Sequence, residues 1–273
     1  MLSGLFSRLV NSPSVLDTES KYWLMDAFIW AVNNFDKQQF LNHSQLVLPN
    51  NAFYPGRVSS VQDMAERIFV QTVSLAGMQH WPITLALAPP QQPLLRHGAE
   101  QRLQFTGSLR GEQCVVSHHS PDFESPATQS LTIYYKQPQV NQPQDMIASL
   151  VQQLAILLLP YRQTALPGGD KLLSASVDVI ACVLGFGVIF SNTAYQFKGG
   201  CGSCYNPMAN RQALLTENDN VFLLALYCQV KSIPYKQASR HLKPHMRTLL
   251  KRAVKELERI GVVDFNSLEN LRR

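Results

Sequence analysis

Apolar positions recur along this chain in three rhythms, and each predicts a different element. At helical spacing, Tyr22, Trp23, Ala27, Phe28, Trp30 and Ala31 form a broad apolar face, on a helix that starts at a cap at Asp17 or Thr18 and runs to about residue 35. Met64, Ile68, Val70 and Val73 do the same over 61–75, behind a Ser59 or Ser60 cap. Short β-branched and aromatic runs bounded by Pro, Gly or polar residues predict strands at 46–48, 81–87, 102–105, 113–117 and 131–135. Two almost continuously apolar segments, 147–159 and 176–193, joined by a Pro/Gly-rich turn, predict a pair of buried helices.

Further on, Thr216 and Asp219 have capping-box spacing for a helix to about residue 230. Pro234 interrupts, a short helix reaches His241, and a last one runs from Pro244 or His245 to Ile260 and stops at Gly261. The tail from Val262 is expected to pack weakly. Helix, strand, helix, several strands and then helices is an α+β order rather than a βαβ repeat. The expected organisation is one α+β domain over 1–230, with a small N-terminal sheet, and a basic helical C-terminal extension over 231–273 packed on it.

Composition narrows this picture. With 45% hydrophobic and 16% charged residues in 273, the chain can build a sizeable core and does not resemble a disordered one. Five cysteines at irregular spacing argue against a disulfide framework and for reduced thiols, hence a cytoplasmic protein. The N-terminal stretch lacks the basic region and cleavage site of a signal peptide. The longest uninterrupted apolar run, 179–190, falls well short of the roughly 20 residues that cross a bilayer, so no membrane span is expected.

The net charge of +5 is unevenly placed: 231–259 holds nine Lys/Arg and two Glu, a local +7 that leaves −2 elsewhere. On the last long helix Lys243, Arg247, Lys251, Lys255 and Arg259 fall mostly on one face, with Arg252 beside Lys251. Leu249, Leu250, Val254 and Leu257 supply the apolar side. Such a face suits an anionic partner, nucleic acid or an acidic protein. The plainer reading, a solvated face over the core, carries more weight, because no aromatic platform or DNA-binding motif accompanies it.

Cys201-Gly-Ser-Cys204 is a single CxxC. It reads as incidental loop cysteines, a redox pair or a metal sensor; a zinc site needs about four ligands, and no second CxxC exists. The pairs His118-His119 and His241/His245 read as surface histidines. No G-x-S-x-G, P-loop or dinucleotide fingerprint is present.

The paired apolar helices carry a resemblance. Trp23 to Trp30, Leu48-Pro49, Phe53-Tyr54-Pro55, Trp81-Pro82, and Asp178 followed by Gly185-Phe186-Gly187 and Asn192 are similar to a group of uncharacterised bacterial proteins with a zincin-like layout. In such peptidases a helix bears His-Glu-x-x-His: two zinc-binding histidines one turn apart, a general-base Glu, and a third ligand from a later element. The matching pentad here is Gln152-Gln153-Leu154-Ala155-Ile156, and Asp178 holds the third-ligand position. Gln152 and Ile156 replace the histidines and Gln153 the Glu; an amide cannot take up a proton at neutral pH, and Ile156 has no ligating atom. The resemblance therefore implies a vestigial metal site with no metal, no cofactor and no catalysis, and a scaffold or binding role. A Gln152–Asp178 hydrogen bond is expected as its relic. Gly185 and Gly187 are expected to permit close helix packing or a kink.

Overall fold

The computed structural model describes residues 14–56, 60–89, 92–95, 103–117, 130–194, 206 and 208–271. About 58% of the chain is helical, so helices decide the architecture and the strands decorate it.

Local capping sets the first elements. Helix α1 (Thr18–Asn34) begins where the Asp17 carboxylate accepts the Ser20 N–H at 2.8 Å. Asp36, at φ 63°, then turns the chain into α2 (Lys37–Asn42), a helix the sequence pattern missed because Phe40 is its one buried residue. Helix α3 (Val61–Leu75) starts at Ser60, whose Oγ accepts the Asp63 N–H at 3.0 Å.

Among the described residues the strands are β1 (Ile83–Leu87), β2 (Gln104–Gly107), β3 (Cys114–Ser117) and β4 (Leu131–Tyr135). They form two separate two-stranded ribbons in place of a single sheet. In one, β1 and β4 are parallel with Ile83 opposite Leu131; in the other, β2 and β3 are an antiparallel hairpin with Gln104 opposite Ser117. Residues 46–48 are not a strand. They are buried as their apolar character requires, but the Val47 N–H bonds the Gly185 carbonyl at 2.9 Å, so this segment docks on a helix kink rather than on another strand.

That kink belongs to the central rod: α5 (Leu173–Ala181), a π-turn (Cys182–Phe186) and α6 (Gly187–Thr193), preceded by α4 (Pro143–Leu158). Pro143 sits in the first turn of α4, where a missing N–H costs nothing. Gly185 has φ +104° inside the π-turn, which frees its carbonyl for Val47 and kinks the rod as expected. A Cβ on Gly187 would stand 3.2 Å from Leu224, so this glycine admits the following helix, α7 (Glu217–Val230), at close range. The Thr216–Asp219 capping box that opens α7 forms as expected.

Helix α4 packs on α5 and α6 on one side and on α3 and β4 on others, while α1 lies against α5 and α7. From 170 to 193 the helical stretch, 24 residues long, is long and apolar enough to cross a membrane by length and composition, its most apolar 18-residue window having a mean hydropathy of 2.2; 78% of that window is packed inside the protein.

After α8 (Tyr235–Ser239), α9 (Pro244–Ile260) crosses α7, burying Met246, Leu250, Ala253, Val254 and Leu257 in the same core as residues before 231. The tail corrects its expectation of weak packing. It forms α10 (Phe265–Asn270), opened by an Asp264–Ser267 capping box, and Val262, Phe265 and Leu268 are buried. Phe265 reaches the Phe40 ring at 6.2 Å, and Lys37 Nζ stands 4.5 Å over it, so α2 and α10 stabilise each other.

The β2–β3 hairpin is held by Arg110, 2% exposed. Its Nη2 and Nε donate to the Phe35 carbonyl at 2.8 and 3.2 Å, and Nη1 to the Ala76 carbonyl at 3.1 Å. A cation thus sits on the open carbonyls that end α1 and α3. Burial pushes Arg110 down to about 10 and raises the carboxyl of neighbouring Asp36.

Candidate functional site

An apolar helix that carries one carboxylate must give it partners, because an unpaired buried charge costs more than folding can supply. Asp178, fully buried in α5, meets this with four donors. Its Oδ1 accepts Gln152 Nε2 from α4 at 2.8 Å. Its Oδ2 accepts Arg211 Nη1 at 3.0 Å and the backbone N–H groups of Leu214 and Leu215 at 3.1 Å each.

Arg211 was not anticipated, and it holds the site together. Its Nε donates to Thr193 Oγ1 at 2.7 Å and its Nη2 to the Phe190 carbonyl at 3.1 Å. The guanidinium lies 4.3 Å over the Phe190 ring, and the backbone N–H of Arg211 donates to Asp145 Oδ1 at 2.9 Å. Gln152 Nε2 also reaches the Gln212 carbonyl at 2.9 Å. One ion pair with both side chains at 0% exposure therefore ties α4, α5, α6 and the segment before α7. A sequence signal for it existed: a carboxylate in an apolar helix demands a cation from elsewhere, and Arg211 lies in a segment that no other element claims.

The expected Gln152–Asp178 hydrogen bond is present, but the pentad does not converge as a unit. Successive helix residues point about 100° apart. Gln153 accordingly turns to β4: its Oε1 accepts the Tyr134 N–H at 2.8 Å, and its Nε2 donates to the Tyr134 carbonyl at 2.7 Å and to the Ser149 carbonyl at 3.1 Å. The side-chain amide acts as a missing strand neighbour and blunts the edge of β4. Ile156 is buried among apolar residues.

These residues do not fit a zinc ion. Both oxygens of Asp178 are engaged, and Gln152 turns its N–H, not its oxygen, toward the carboxylate. Among the described residues, no group of three or more His, Cys, Asp or Glu could hold a metal. Cys201 and Cys204 lie outside the described residues, as do His118 and His119. Cys114, Cys182 and Cys228 are free and buried. Burial pushes Cys114 up to about 11 and Cys228 to about 12, leaving both protonated and unreactive at neutral pH.

The basic face of α9 is real in outline. Arg247, Lys251 and Lys255 are exposed, while Lys243 at the cap and Arg252 are half-buried. Its start opens onto a cavity of about 380 Å³, which Arg240, His241, Lys243 and Arg247 share with Gln144, Asp145, Asn192 and Thr193. Two of these lining residues, Asp145 and Thr193, also bond Arg211, through its backbone N–H and its Nε.

No family model, curated protein or solved structure matches this chain.

Proposed function

We propose that this chain is a non-catalytic binding protein of zincin-like layout, in which Arg211 supplies the positive charge that a metal supplies in a peptidase. The observation that carries the reading is Asp178: every oxygen is bonded, with no exposure, to donors that include a guanidinium. Such a carboxylate is neutralised without a metal and has no room for a reacting water. Gln153, at the general-base position, is spent on the Tyr134 backbone and cannot carry a proton. What remains is a rigid helical frame bearing a basic cavity. That cavity favours, as a second reading, an anionic partner met at the start of α9.

Elemental analysis of the full chain purified without chelators tests the first reading. Far less than one zinc per chain is expected. Stoichiometric zinc that disappears in Asp178→Ala overturns it.

A further inference from the structure

We infer that the cavity between α4 and α9 binds a small phosphate monoester; this deepens the anionic reading above and rests on it. The observations are geometric. Arg240, Lys243 and Arg247 bring three cations to the rim of one concavity of about 380 Å³. That volume lies within the range of small-molecule sites, about 300–1,000 Å³, and exceeds what a bare phosphate fills.

The floor is built. Asn192, 5% exposed, donates from Nδ2 to Gln144 Oε1 at 2.9 Å and to the His241 carbonyl at 2.8 Å, and its Oδ1 accepts the Lys243 N–H at 3.1 Å. One side chain thus fixes the end of α6, the first turn of α4 and the α8–α9 connection relative to one another. Arg247 is fixed in turn, its Nε donating to the Leu242 carbonyl at 3.0 Å, and it is one of the residues that line the cavity.

Among the described residues the one carboxylate in the lining is Asp145, 2% exposed and turned to the Arg211 N–H. A planar guanidinium held by its Nε pairs well with phosphate oxygens. The first turn of α4, sixteen residues long, adds its positive dipole end. An extended polyanion would instead need the whole exposed row from Arg247 to Lys255, most of which does not line the cavity.

Calorimetric titration of the full chain with inorganic phosphate, phenyl phosphate and adenosine monophosphate tests this. Saturable binding of at least one monoester, competed by inorganic phosphate, is expected. Arg240→Gln and Arg247→Gln should each weaken it about tenfold, and the pair Lys251→Gln/Lys255→Gln should leave it within about twofold. All four side chains are exposed, so an unchanged melting temperature certifies each variant as folded. Absence of saturable binding, or equal weakening by the two sets of substitutions, overturns the proposal. A duplex DNA oligonucleotide that binds wild type and the Arg240/Arg247 variants alike, while the monoesters fail, sinks the cavity but leaves the broader anionic reading standing.

Discussion

Asp178→Asn is expected to destabilise the protein by about 3–5 kcal/mol, a fall of roughly 6–20 °C in melting temperature. The substitution is nearly isosteric, and the amide oxygen can still accept from Leu214 and Leu215. The loss comes from Arg211, left charged at 0% exposure with only neutral partners. The double variant Asp178→Asn/Arg211→Met separates this from simple loss of contacts. Methionine fills the space over the Phe190 ring and removes the orphaned charge, although Thr193 and the Phe190 carbonyl lose a donor. The double variant should therefore be more stable than Asp178→Asn alone. If its cost equals the sum of the two single costs in denaturant unfolding, the two residues are not coupled and the ion pair is not what holds this region.

Gly185→Ala should be the most damaging single-methyl change in the chain, at about 4 kcal/mol or more. Two penalties coincide there. The backbone has φ +104°, which L-residues adopt only under strain, and the new Cβ would overlap the Gln45 carbonyl oxygen, a backbone atom that cannot turn aside. Gly261 provides the control. It has φ +93° at the end of α9, but a Cβ there meets nothing within 4 Å, so Gly261→Ala should cost only the backbone strain, about 1–2 kcal/mol. Equal losses in the two variants would show that the docking of residues 45–47 on the π-turn is not close-packed.

Comparing the sequence pattern with the fold shows which signals are local. Asp17, Ser60, the Thr216–Asp219 box and Gly261 each act within one helical turn, so their helices could be placed to within a residue or two. Gln152 and Asp178 were legible as polar positions on two apolar helices that had to face each other. Other features depend on distant partners. Helices α2 and α10 are too short to be stable alone and exist through Phe40 against Phe265. Residues 46–48 carry a strand-like composition, yet their hydrogen-bond partner is a carbonyl freed by a kink more than a hundred residues away. Arg211 sits in an aperiodic segment, and only the need of Asp178 for a cation points to it. Gln153 shows the limit of spacing arguments: its place in the pentad named a catalytic position, while its amide serves the edge of β4.

Asp178 is neutralised by a side chain of this protein, Arg211. Nitrogen-15 NMR of the arginine guanidinium groups observes that directly, with Arg211→Met used to assign the signal. The prediction is a resolved Arg211 Nε–H, protected from exchange, whose shift does not change when excess zinc is added. Rapid exchange of that proton, or its loss or displacement as zinc binds stoichiometrically, would contradict it.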